Sequence, residues 1–130
     1  MSRDYARRVS DSQHPPLDHK VIAKLREAMR GSGIDLVSEL IEMFLVDGPE
    51  MLAGIRAAYA DGEISQLAIG AHNLKGSVAN LGAVHLAEVC KQVETAARAE
   101  NVELLGALLD TLCAEYARVI PALQAEQAAA

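Results

Sequence analysis

From about residue 18 to residue 123, apolar residues recur every three or four positions, and the pattern is cut only by short breaks that contain glycine. That spacing belongs to one face of an α-helix, whereas a half-buried strand alternates every second residue. No stretch alternates with period two for more than a few residues, so the chain predicts helices and no sheet. Its composition agrees: 51% of residues are hydrophobic but only 3% are aromatic. Such a core is built from Leu, Ile, Val, Ala and Met, a mix that favours helix over strand.

The breaks divide the pattern into five helical segments. Residues 1–16 are polar, lack periodicity and end in Pro15-Pro16, which predicts a flexible lead-in. Asp18 is a good N-cap for a short first helix carrying Val21, Ile22, Leu25 and Met29, and Gly31-Ser32-Gly33 stops it. A second pattern starts at Ile34 or Asp35 and carries Leu36, Val37, Leu40, Ile41, Phe44, Leu45, Met51, Leu52, Ile55 and Tyr59. Gly48-Pro49 interrupts it, but the stripe resumes nearly in phase, so one long kinked helix is expected. The third helix spans about 63–81, with Ile64, Leu67, Ala68, Ala71, Leu74, Val78 and Leu81 inward. The fourth spans about 83–99, with Leu86, Val89, Cys90, Val93 and Ala97 inward. Asn101 caps the last, which carries Leu104, Leu105, Leu108, Leu109, Leu112, Tyr116, Val119, Ile120 and Leu123 and is expected to fray over 126–130. Four amphipathic helices with short loops pack as an antiparallel up-down four-helix bundle over 17–125, with the short N-terminal helix across one end.

Charge narrows the partners. The first 30 residues carry a net +3 and the remainder −9, for a total of −6. An acidic, aromatic-poor domain lacks the basic face that phosphate backbones require, so nucleic acid is not an expected partner. Cys90 and Cys113 sit inside apolar helical patterns without CxxC spacing and read as reduced core residues. The densest apolar stretch, 40–46, is interrupted by Glu42, and no run approaches the ~18 residues of a membrane span. These features predict a cytoplasmic, monomeric protein with no membrane association.

The informative feature is the face of the third helix turned away from its core stripe. Outward positions of surface helices are ordinarily Lys, Glu, Gln and Arg. Here they are Ser65, Ile69, His72, Lys75, Gly76 and Ala79, a small and partly apolar surface with one imidazole at its centre. Gly76 lies one turn beyond His72, where glycine costs about 1 kcal/mol relative to alanine. Its missing side chain opens space beside the ring, because i and i+4 are neighbours on a helix. Lys75 adds an ammonium within reach of whatever approaches. Free imidazole titrates near about 6.5, so at neutral pH it is mostly an unprotonated nucleophile. Phosphoryl transfer asks a protein mainly for positioning and for positive charge near the moving oxygens.

The segment AHNLKGSVANLGAVHLAEVCKQVE resembles the histidine-containing phosphotransfer (HPt) domains of multistep phosphorelays. The motif is His-x-Leu-Lys-Gly-Ser, then a Leu-Gly-Ala turn and a Leu-Ala-x-x-Cys-x-x-x-Glu helix. The upstream Leu-x-x-x-Phe-Leu-x-x-x-Pro stretch ending at Pro49 fits as well, and the similarity covers about 18–123. The resemblance implies that His72 takes and gives the phosphoryl group through Nε2, that Lys75 neutralises its oxygens, and that Gly76 leaves room for a receiver domain. It also implies that Glu94 accepts the Nδ1–H of the imidazole, with Arg98 one turn further on as a docking or ion-pair residue. Ser65, Ile69 and Ala79 would belong to the docking surface. The partners implied are receiver domains of response regulators and hybrid histidine kinases, and the chain itself would need no cofactor, no metal and no ATP site.

Other readings of the same residues exist. The bundle could be a scaffold whose histidine is never phosphorylated. Gly76 could serve close helix packing, and Glu94 could be an ordinary exposed glutamate. A ferritin-like metal bundle needs Glu-x-x-His from two helices; this chain offers only the reversed His85-x-x-Glu88, once. His85 reads as a turn or surface residue, and His14 and His19 as inert neighbours of the lead-in. No P-loop or glycine-rich nucleotide motif is present.

Overall fold

The structure, a computed structural model, describes residues 14–31 and 35–128. Five helices follow in order: α1 (His19–Ala28), α2 (Leu36–Ala60), α3 (Ile64–Ala79), α4 (Val84–Arg98) and α5 (Val102–Ala128). No strand occurs among the described residues. Helices α2 to α5 form the bundle, each packed on the next, with α5 closing the ring against α2. The connections are three or four residues long, which makes successive helices antiparallel.

Local chemistry sets the boundaries. Asp18 caps α1 by accepting from the Lys20 N–H, and Asp35 caps α2 by accepting from the Ser38 N–H at 3.0 Å. The Asn101 side chain accepts from Leu104 N–H at the start of α5. Gly82 sits in the α3–α4 turn at φ +79°, and a Cβ there would come within 2.8 Å of the Asp18 carbonyl. Its own carbonyl accepts the Asp18 N–H at 2.7 Å. Glycine is therefore required twice over, for the left-handed backbone and for the close approach of the chain entering α1. Pro49 lies inside α2, which continues through it as one helix.

The core is the intersection of the predicted stripes. Ile41, Leu67, Ala71, Leu74, Val78, Leu86, Val89, Val93, Leu105 and Leu112 are fully buried. Cys90 is buried among them, and loss of hydration pushes its thiol up to about 12. Cys113 is half-buried, and both cysteines are free.

Three expectations change. The lead-in was expected to be flexible through residue 16, yet His14 is half-buried and stacks on His85 with ring centroids 3.5 Å apart. The buried Leu17 anchors it, because an apolar side chain next to Pro15-Pro16 finds the end of the core. Residues 1–13 lie outside the described residues. The C-terminus was expected to fray from 126, but α5 continues to Ala128. Glu126 accepts from Arg26 at 2.9 Å and pairs with His19 at 2.7 Å, so α1 ties down this end of α5. Residues 129–130 lie outside the described residues. Finally, Leu40 was assigned to the core stripe of α2 but is 37% exposed.

Candidate functional site

Helix α3 buries Leu67, Ala68, Ala71, Leu74 and Val78, and this phase turns His72 outward at mid-helix. Its side chain is 58% exposed. Helix α4 packs alongside with Leu86, Val89, Cys90 and Val93 inward, which brings Glu94 to the α3–α4 seam beside the ring. His72 Nδ1 lies 3.2 Å from Glu94 Oε1.

The state of Glu94 decides what that contact is. Its partial burial works to raise the carboxyl, but hydrogen bonds from Arg98, His72 and Lys75 outweigh it and hold the group below the usual carboxylate range. An ionised carboxylate only accepts. The hydrogen between them therefore sits on Nδ1, and Nε2 takes no part in the contact. Lys75 Nζ lies 3.3 Å from the same Oε1, while Arg98 holds Oε2 through Nε at 3.1 Å and Nη2 at 3.0 Å. One carboxylate thus fixes the ring, the ammonium and the guanidinium together. The Lys75 ammonium, expected within reach of whatever approaches the ring, rests on Glu94, which also holds the ring.

Gly76 is exposed, and a Cβ on it would meet nothing within 4 Å. Close helix packing does not explain this glycine. Gly70, on the same helix, is different: a Cβ there would lie 2.9 Å from Ile55 Cγ1, so that glycine serves the α2–α3 contact. Beyond Gly76 the surface falls into an open groove of about 480 Å³ between α2 and α3. Leu40, Met43 and Phe44 line its α2 side, and His72, Asn73 and Gly76 its α3 side. Met43 is 59% exposed, Val46 on the same helix 63%. Of the residues expected to surround His72, Ala79 is exposed one turn beyond Gly76, and Arg98 is exposed but tied to Glu94. Ser65 and Ile69 are exposed one to two turns toward the start of α3 and do not line the groove.

The apolar α2 wall escaped sequence reasoning. Its signal was the run 40–46, which holds more apolar residues than one helix face can bury. His85 and Glu88 do not act as a pair. His85 turns toward His14, while Glu88 accepts from Gln92 at 2.7 Å.

The family profile described as Hpt domain matches residues 39–125. The chain belongs to the Hpt domain family. The fold agrees with that of a solved HPt protein, histidine-containing phosphotransfer protein B (HptB) from Pseudomonas aeruginosa PAO1. The two share 33% identity at a TM-score of 0.81, over 91% of this chain and 99% of that one. No curated protein sequence matches this chain. Membership places it among the histidine phosphotransfer proteins of phosphorelays, a family of phosphoryl carriers without an ATP site of their own. No described helix is long and apolar enough to cross a membrane.

Proposed function

We propose that this HPt domain carries phosphoryl groups on His72, taking them from a receiver-domain aspartyl phosphate and giving them to the aspartate of another receiver domain. The observation that carries the reading is the Nδ1 contact with an ionised Glu94, which leaves Nε2 as an exposed nucleophile on an open face. In the forward step the Nε2 lone pair attacks phosphorus, the N–P bond forms, and the P–O bond to the aspartyl carbonyl breaks with the electron pair leaving on the carboxylate. The ring keeps its Nδ1 proton and becomes cationic, and Glu94 stabilises that charge. Lys75 swings from Glu94 to the phosphoryl oxygens. The return step reverses each movement, with the second aspartate as nucleophile.

Docking follows the same surface. A receiver domain would set an apolar face on Leu40, Met43 and Ile69, pass over Gly76 and Ala79, and meet Arg98 and Ser65 at the margin. Its aspartate would then approach Nε2 without obstruction. Acting with one partner at a time requires only a single copy of this chain.

Incubation with a phosphorylated receiver domain tests the proposal. The wild-type chain should acquire an acid-labile, base-stable label, and His72→Gln should acquire none while keeping its helical circular dichroism. Label on the folded His72→Gln variant would put the acceptor elsewhere. No label on the wild-type chain with any receiver would favour a scaffold.

A further inference from the structure

The two oxygens of Glu94 are divided between two helices. Oε1 accepts from His72 Nδ1 at 3.2 Å and from Lys75 Nζ at 3.3 Å, both on α3. Oε2 accepts only from Arg98, through Nε at 3.1 Å and Nη2 at 3.0 Å. Among the described residues these three are the ionisable groups bonded to Glu94, and none comes from α5. Arg98 is the last residue of α4, one turn beyond Glu94, and its side chain is exposed. A Glu-to-Arg pair at that spacing steadies a helix, and a cation suits a helix C-terminus. Those two effects concern α4 alone and ask nothing of α3.

The division matters because Lys75 has two uses. In the carrier reading its ammonium leaves Glu94 for the phosphoryl oxygens. Oε1 then loses one of its two donors at the moment the ring gains a phosphoryl group and a positive charge. A carboxylate held only at Oε1 can turn about its Cγ–Cδ bond, a torsion with broad minima, and follow the departing ammonium. The guanidinium opposes that turn. It is planar, always charged and gives two N–H donors from one rigid fork, so Oε2 is fixed and Oε1 stays on Nδ1. It also keeps Glu94 ionised once Lys75 has gone. Partial burial works to raise the carboxyl, and the Arg98 hydrogen bond leads the influences that lower it.

We propose that Arg98 is a positioning residue for phosphotransfer: it locks Glu94 Oε2, so that Oε1 holds the Nδ1 proton of His72 in place while Lys75 leaves for the phosphoryl group. Arg98 bonds to neither the ring nor Lys75 and acts through Glu94. The proposal rests on the reading of His72 as a phosphoryl carrier, and it gives Arg98 a task that is complete before any receiver domain arrives.

Arg98→Ala tests this in two measurements. The first is nuclear magnetic resonance on the chain alone, without a phosphoryl donor. In the variant the Glu94 carboxyl carbon should titrate at higher pH than in the parent, and the ring nitrogen shifts of His72 should show a weaker preference for the Nδ1–H tautomer. The second is single-turnover transfer from a saturating phosphorylated receiver domain. The variant should be about three- to fivefold slower, with circular dichroism unchanged. In a Glu94→Gln background the same substitution should cost nothing further, because the carboxylate it locks is gone. A parental titration and tautomer in Arg98→Ala overturn the proposal, as does an equal loss of rate in both backgrounds. A loss confined to the receiver concentration needed for half-maximal transfer overturns it too, and leaves Arg98 a docking residue. Failure of the wild-type chain to take label is a separate outcome, which removes the carrier reading itself.

Discussion

Two residues around His72 act through what they omit and what they hold. Gly76 omits a Cβ where the structure has open space, so its substitution separates stability from function. Gly76→Gln should raise helix stability by about 0.5–1 kcal/mol, since glycine is the poorer helix former. The same change should slow phosphotransfer at least about tenfold, because a side chain now stands on the face the receiver crosses. Thermal melts and single-turnover transfer on one preparation check both. Glu94 holds the ring, and Glu94→Gln replaces a charge-assisted hydrogen bond by a neutral one. The loss of about 1.5 kcal/mol corresponds to roughly a tenfold slower transfer. Glu94 also contributes to acid stability with a definite sign. Its folded-state carboxyl is depressed, so its stabilisation is full at neutral pH and is lost as pH falls through that lowered value. Denaturant titrations between about pH 5 and pH 3 should therefore show a shallower loss for Glu94→Gln than for the parent.

At the scale of elements, α2 shows where patterning is legible and where it stops. The apolar period gave its length, Asp35 its start, and the in-phase stripe its continuity through Pro49. What the period could not give is the fit at Gly48. A Cβ there would collide with the Tyr116 hydroxyl of α5, a contact between residues far apart in the chain. That hydroxyl is buried without a partner, and its burial pushes the phenol up. Gly48→Ala should destabilise the bundle by about 1 kcal/mol, overpacking outweighing the gain in helix propensity. In a Tyr116→Phe background the closest contact is removed and the Phe44 ring at 3.3 Å remains, so the same change should cost less than in the parent. A double-mutant cycle by urea unfolding reads the coupling directly. The exposed wall of Leu40 and Met43 was hidden for a related reason: periodicity marks an apolar residue as buried, and only the neighbouring helix shows that a groove was left open beside it.

At the scale of the molecule, the bundle and the His72 face followed from short-range signals, since α3 and α4 are neighbours in sequence and in space. The ends did not, because they depend on pairings across about a hundred residues. His19 and Arg26 of α1 meet Glu126 of α5, and His14 meets Glu115 and Arg118. No local pattern encodes such partners. Glu126→Ala should release α1, costing no more than about 1 kcal/mol because these pairs are partly solvated. Amide exchange should quicken over His19–Ala28 and stay unchanged in the middle of α3 and α4. The sulfur of Cys90 bears on the whole chain in another way. It lies one turn from Glu94 on α4, yet a thiol pushed up to about 12 has almost no thiolate at neutral pH. It is the thiolate that attacks peroxides and disulfides, so a buried Cys90 held as the thiol leaves the helix that steadies the imidazole a poor target for oxidants.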